Sequence, residues 1–303
     1  MEHSKQISPD APAPNAAACW ESVDAVVCIN LDKRVDRWEA FCREVQGLIP
    51  ADKLHRVSAV AGVELPGYGE APWFTERTGE RSRYWAGVAG CTLSHRRVLE
   101  MAQQRGWRNI LIFEDDIAPE VTSDGLAMLD YALRTLQGSY MLYLGYGSRV
   151  PHGRCIHREG SSALWKISGV LQTHAYLVSQ GMYEPLLRAL PTSAEDVWEW
   201  VSCHRAVDTF YCEEVAAWAG VGVYAILPFL FCQSGMSSDL VEDSAPTKQP
   251  QATPTELKGL SRWVHGLLHP LRRLKWHLNS YRTHRRALRG GFPGFRRKRP
   301  PQA

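Results

Sequence analysis

The chain has 303 residues and is 45% hydrophobic, with 11 Trp and 11 Tyr, which is enough to bury a large core and excludes a wholly disordered protein. Its formal net charge of +3 conceals a split: 13 of the 35 Lys and Arg lie after Glu256, where no acidic residue occurs, leaving 22 basic against 32 acidic residues before that point. An acidic body with a strongly basic tail points to an enzyme-like body and a tail that meets an anionic surface, with no nucleic acid expected as its first partner.

Residues 1–22, beginning "MEHSKQISPDAPAPNAAACW", form a Pro/Ala-rich stretch without a basic n-region or an apolar h-region, so a disordered leader and a cytoplasmic protein are expected. No apolar run reaches the roughly 18 residues that a membrane span needs. The eight cysteines are scattered without a C-x-x-C pair, the pattern of reduced core thiols rather than a disulfide or zinc framework.

"AVVCINL" (25–31) reads as a first strand, after which Asp32 is placed to cap a helix bearing Val35, Trp38, Phe41, Cys42 and Val45 at helical spacing. "LHRVSAV" (54–60) reads as a second strand. Residues 63–88 lack periodicity and predict a long ordered loop. A helix is expected from about Gly90 to Arg105, ended by Gly106. "MLYLG" (141–145), "LQTHAYLVS" (171–179) and "VGVYAILPFL" (221–230) read as further strands, with "QGMYEPLLRAL" helical between the last two. Strands alternating with helices predict an α/β fold with a mostly parallel central sheet covered on both faces, whose ligands sit beyond the strand carboxyl ends.

One such end carries the densest chemistry. In "NILIFEDDIAP" (109–119) a buried strand runs into Glu114, Asp115 and Asp116. Three adjacent carboxylates repel, and burying them unpaired costs several kcal/mol, so a metal ion, an arginine pair or bulk water must compensate. If the strand stays extended, Glu114 and Asp116 share one side and can hold a hard divalent cation such as Mn²⁺ or Mg²⁺, while Asp115 stays free for a ligand. Upstream, Cys91, Ser94, His95 and Val98 share one helix face, which puts two polar residues where packing is expected. Asn30 ends the first strand, and Arg34 and Arg37 follow one turn apart, where arginine suits phosphate recognition.

"INLDKRVDRW", "SAVAG" and "GVAGCTLSHRRVLEMAQQRGWRNILIFEDD" together resemble the glycosyltransferase family 25 pattern, with "LYLG", "THAYLVS", "VDTF" and "CQSGMSSDL" as later matches. The resemblance spans about residues 24–240. It implies a GT-A-like fold, a UDP-sugar donor with UDP-galactose the commonest, and a glycan acceptor of the lipopolysaccharide kind. It further implies a metal at Glu114 and Asp116. Asn30, Arg34, Arg37, Ser94, His95 and Asp115 would lie around the nucleotide-sugar. Asp208 would be the base of an inverting transfer, with Glu195, Asp196, Glu199, Glu213 and Glu214 as rivals. A non-catalytic nucleotide-sugar-binding module and a Mg²⁺-dependent phosphoryl-transfer enzyme are the alternatives.

The expected organisation is therefore a leader (1–22), a GT-A-like domain (23–243), a Pro-rich linker (244–256) and a basic tail (257–303). In the tail, Leu260, Val264, Leu267, Leu271, Leu274 and Leu278 recur three and four apart among arginines, and Pro270 is expected to kink or divide the helix. This predicts an amphipathic segment lying on the inner face of an anionic membrane, with packing on the body or a partner, and binding nucleic acid, as the alternatives.

Overall fold

The computed structural model describes residues 16–76, 79–147, 150–234, 253–257 and 259–293. In chain order the elements are α1 (Ala16–Glu21), β1 (Ala25–Asn30), α2 (Val35–Val45), β2 (Leu54–Ser58), α3 (Glu80–Arg105), β3 (Asn109–Glu114), β4 (Ile117–Pro119) and α4 (Ser123–Thr135). They continue with β5 (Ser139–Gly147), β6 (His152–Glu159), β7 (Ser162–Ile167), β8 (Leu171–Ser179), α5 (Tyr183–Ala189), α6 (Ala194–His204), α7 (Val207–Glu213), β9 (Val221–Leu227), β10 (Phe231–Gln233), β11 (Thr255–Glu256) and α8 (Gly259–Gly290).

Nine strands make one sheet in the order β11-β6-β7-β9-β5-β8-β3-β1-β2. Followed across the sheet, the pairings set seven strands in one direction and β7 and β8 against them. The sheet is thus mostly parallel, as the alternating pattern predicts. The unbroken apolar runs of β1 and β3 follow from burial on both faces. Ile110 and Ile112 of β3 pack with Ala89, Leu93 and Val98 of α3, whereas Leu111 and Phe113 pack with Phe41 and Val45 of α2 and Leu129 of α4. The period of two therefore delivers Glu114 to the α3 face.

Several expectations need correction. α3 starts at Glu80, not near Gly90, because it is buried on almost every side from Ser82 to Ala102 and so shows no amphipathic period. The leader is not wholly disordered: residues 16–21 form α1, with Cys19 and Trp20 buried against the α2 and α4 side of the sheet. Asp32 does not cap α2. It instead accepts from Ser58 Oγ (2.8 Å) and pairs with Arg56 Nη2 (2.9 Å). The hairpin β6–β7 escapes sequence reading because β6 is a polar, half-exposed strand next to the sheet edge. The end of the linker adds β11 beside β6, while residues 1–15 and 244–252 lie outside the described residues.

α8 runs unbroken through Pro270, so the expected division does not occur. One of its faces docks on the body: His284 Nδ1 meets Ser202 Oγ at 2.8 Å, and Trp276 Nε1 donates to Glu214 Oε1 at 3.3 Å. Beyond its end, Phe292 stacks on Trp85 with ring centroids 4.5 Å apart and gives its N–H to the Trp73 carbonyl. Among the described residues no helix is long and apolar enough to cross a membrane.

Candidate active site

Parallel pairing of β1 with β3 sets Ile29 opposite Glu114, so Asn30 and the three carboxylates emerge at the same sheet edge. The strand stops at Glu114 and the chain turns at once. The strict alternation that would separate Asp115 from Asp116 is therefore lost, and both aspartates reach Arg37 in the first turn of α2. Arg37 Nη1 lies 2.7 Å from Asp115 Oδ1, and Nη2 lies 3.3 Å from Asp116 Oδ2. Asn30 Nδ2 donates to the other Asp115 oxygen at 2.6 Å, while Arg56 Nε donates to Asn30 Oδ1 at 2.9 Å.

Two groups expected to face a ligand are engaged within the protein. Both Asp115 oxygens have partners there, Arg37 and Asn30. Arg37 is buried and acts as counter-charge to the aspartates. Arg34 grips Asp36 through two bonds of 3.0 Å, and its carbonyl oxygen accepts from Asn30 Nδ2 at 3.0 Å. Asp116 differs from Asp115. Its Oδ2 accepts weakly from Arg37 and from Gln233 Nε2, both at 3.3 Å, and its buried Oδ1 has no hydrogen-bond partner among the described residues.

Glu114 faces α3. Thr173 Oγ1 donates to Glu114 Oε1 at 2.8 Å, and His95 Nε2 lies 3.7 Å from the same oxygen. His95 is fully buried and fixed from behind by Tyr176, whose hydroxyl is 2.8 Å from Nδ1. Ser94 plays a different part from the one expected. Its hydroxyl donates to the Gly90 carbonyl (2.6 Å) and accepts the Val60 N–H (2.8 Å), so it pins α3 to the turn after β2. The glycines on that seam allow the approach: a Cβ at Gly90 would come within 2.2 Å of the Val60 carbonyl oxygen, and one at Gly62 within 1.6 Å of the Ala86 oxygen.

Asp208 joins the same edge through β8. Gln172 gives its backbone N–H to Asp208 Oδ2 at 3.0 Å, one residue before Thr173 reaches Glu114. Asp208 Oδ1 accepts the Thr209 N–H and hydroxyl. Burial raises the pKa of the half-buried Cys91 thiol, and the charges of Glu114 and Asp208 add to the rise. Of the rivals, Glu195, Asp196 and Glu199 are on α6, where Asp196 accepts from Thr192 Oγ1. Glu213 ends α7 itself, and Glu214, which follows it, pairs with His204 Nδ1 at 2.8 Å.

Burial governs the electrostatics of this edge. Burial pushes the Asp116 carboxyl up to about 7, aided by the charge of Glu114 and opposed by Arg37. Burial likewise raises Asp115, with Arg37 and Asn30 offsetting part of the rise. For Glu114 burial also acts upward, but His95 and Thr173 outweigh it and the net direction is down. Asp115 and Asp116 contact the Arg37 guanidinium, and Arg34 adds positive charge near Asp115. Asp116 Oδ1, without a hydrogen-bond partner among the described residues, is a hard oxygen donor of the kind Mg²⁺ or Mn²⁺ takes. Cys91 Sγ, His95 Nε2 and Glu114 Oε1 also lie within 4.8 Å of one another. There, burial and the neighbouring carboxylates hold Cys91 as a neutral thiol, which disfavours the thiolate that a soft-metal site requires.

The structure thus brings Asn30, Arg37, His95, Glu114, Asp115, Asp116 and Asp208 to one edge. Sequence reading missed Gln172, Thr173, Arg56 and Gln233 as partners of these groups. Thr173 and the buried His174 did carry a signal, as polar residues inside an otherwise apolar strand.

No protein-family model matches the sequence, and no curated protein matches it. Among solved structures, the chain is similar to the mannose-1-phosphate geranyltransferase from Thermus thermophilus, at 13% identity over 67% of this chain and 74% of that one, with a TM-score of 0.35. It is also similar to A197 from STIV, at 9% identity over 69% and 82% of the two chains, with a TM-score of 0.36. At these scores the likenesses carry no argument about chemistry.

Proposed function

We infer that the chain is a divalent-metal-dependent glycosyltransferase of the family 25 kind. It would transfer a hexose, galactose from UDP-galactose, to a glycan acceptor of the lipopolysaccharide type with inversion at the anomeric carbon. The observation that carries this reading is the cluster of Glu114, Asp115 and Asp116 at the sheet edge, with a buried Asp116 oxygen unpartnered among the described residues and Asp208 tied to the cluster through consecutive residues of β8. The ordered motifs of residues 24–240 supply the family and the donor class.

Glu114 and Asp116 would hold Mn²⁺ or Mg²⁺. When bound, that ion supplies the Lewis acid that neutralises charge growing on the departing diphosphate. The chain's own residues do the rest. Arg37 and Asn30 lock Asp115 and keep the turn at 115–116 in one shape, which sets where Asp116 Oδ1 points. Thr173 and His95 orient Glu114 from the opposite side. Asp208 is the base: Oδ2 accepts one N–H and retains a lone pair for the proton of the acceptor hydroxyl.

The test is nucleotide release from a panel of UDP-, GDP- and CMP-sugars, with Mn²⁺ or with EDTA, for wild type and Asp116→Ala. Release from one UDP-sugar, abolished by EDTA and in the variant, is expected. Binding without turnover in any condition would assign the chain to the non-catalytic alternative instead.

A further inference from the structure

The docking of α8 uses only one side of the helix. Trp276, Ser280, His284 and Ala287, spaced four, four and three apart, face the body, and Ala287 is fully buried there. On the far side Leu271, Leu274, Leu278, Tyr281 and Leu288 recur at helical spacing, and each is 46–60% exposed. Five large apolar side chains aligned on one exposed helix face form a contiguous patch of the kind that marks an interaction surface. Basic residues border it. On a helical projection Lys275, Arg282, Arg286 and Arg289 fall along one flank and Arg285 falls within the stripe, its guanidinium 5.7 Å from the centre of the Tyr281 ring. No acidic residue occurs after Glu256.

We propose that this outward face of α8 is a docking surface for an anionic lipid bilayer. The leucines enter the acyl boundary, Tyr281 sits at headgroup level, and the arginine and lysine flank meets lipid phosphates. Charge complementarity selects this occupant over the others. A second copy packed on the same face would bring Arg282, Arg285 and Arg286 against their own counterparts with no carboxylate on the segment to neutralise them. Nucleic acid would satisfy the arginines but leave the leucines between phosphates and water. The body cannot cover the stripe, because it already holds the opposite side of the helix. The inference is independent of the transferase reading.

The experiment is co-sedimentation of the full chain with phosphatidylcholine vesicles, with and without phosphatidylglycerol, alongside Leu274→Asp/Leu278→Asp and Arg282→Glu/Arg286→Glu. All four positions are exposed and avoid the docked face, so melting temperatures should match wild type. Wild type should bind anionic vesicles and not neutral ones, and each double variant should bind roughly tenfold or more weakly. Undiminished binding by the leucine variant would reduce the surface to bulk charge attraction and overturn the proposal. So would failure of wild type to bind, a leucine-dependent dimer by light scattering, or tighter binding to duplex nucleic acid than to vesicles.

Discussion

Gln172 gives its backbone N–H to Asp208 over 3.0 Å, so the proposed base on α7 is held by the strand whose next residue, Thr173, holds Glu114. A base tethered this way has little freedom to follow anything except that strand. Asp208→Asn keeps an acceptor for the Gln172 N–H but cannot take a proton at neutral pH. Transfer should fall by about 10²- to 10⁴-fold while the melting temperature and the affinity for UDP-sugar stay near wild type. Steady-state kinetics with the identified donor checks this, and a variant that keeps full turnover would remove Asp208 from the mechanism.

The legible parts of the molecule are those that local pattern controls. β1, β3, β8 and β9 are visible as apolar runs because both sheet faces are covered, and Asn30 and Glu114 are visible as the points where those runs end. Period-two reasoning failed one residue later, because it assumes a strand that the chain abandons at Asp115. The start of α3 was hidden for the opposite reason: a helix buried all round has no polar face to set a period. Ser94 looks like a site residue in the sequence, yet with Gly90 it serves a seam between α3 and residues 60–62 that exists only in three dimensions.

Arg37 separates a structural role from a ligand-binding one. It is buried and salt-bridged to Asp115 and Asp116, so Arg37→Met strands two buried carboxylates. Breaking a buried pair in this way costs about 3–5 kcal/mol, which should appear as a lower denaturant midpoint in the absence of any ligand. Adding Asp115→Asn and Asp116→Asn to Arg37→Met should recover much of that loss. If Arg37→Met alone leaves stability intact and only weakens nucleotide binding, the arginine is a phosphate ligand after all.

The carboxylate cluster at the sheet edge predicts a measurable response to cations. Mn²⁺ at about 100 times its dissociation constant should stabilise the folded chain by roughly 2.7 kcal/mol, raising the melting temperature by several degrees. Asp116→Asn should lose most of this response, because it removes the negative charge from the oxygen that would bind the ion. Differential scanning fluorimetry with Mn²⁺, Mg²⁺ and EDTA reads it directly. Equal shifts in wild type and variant would place any bound cation elsewhere.

The contact between α8 and the body carries its own pH signature. Burial pushes Glu214 up, but the hydrogen bond and charge of His204, together with Trp276 and His277, outweigh it and leave the carboxyl below its ordinary range. The sign follows from that direction. A carboxyl depressed in the folded state adds stability at pH values above its unfolded pKa of about 4.5, and the contribution is lost as pH falls through the lower folded value. Glu214 is only partly buried, so screening limits the effect to about 1 kcal/mol. Glu214→Gln should therefore melt a few degrees below wild type at pH 7, and the two curves should converge as pH drops below about 4.5. A gap that stays constant down to the acid limit would mean that Glu214 anchors α8 through packing and the Trp276 hydrogen bond rather than through its charge.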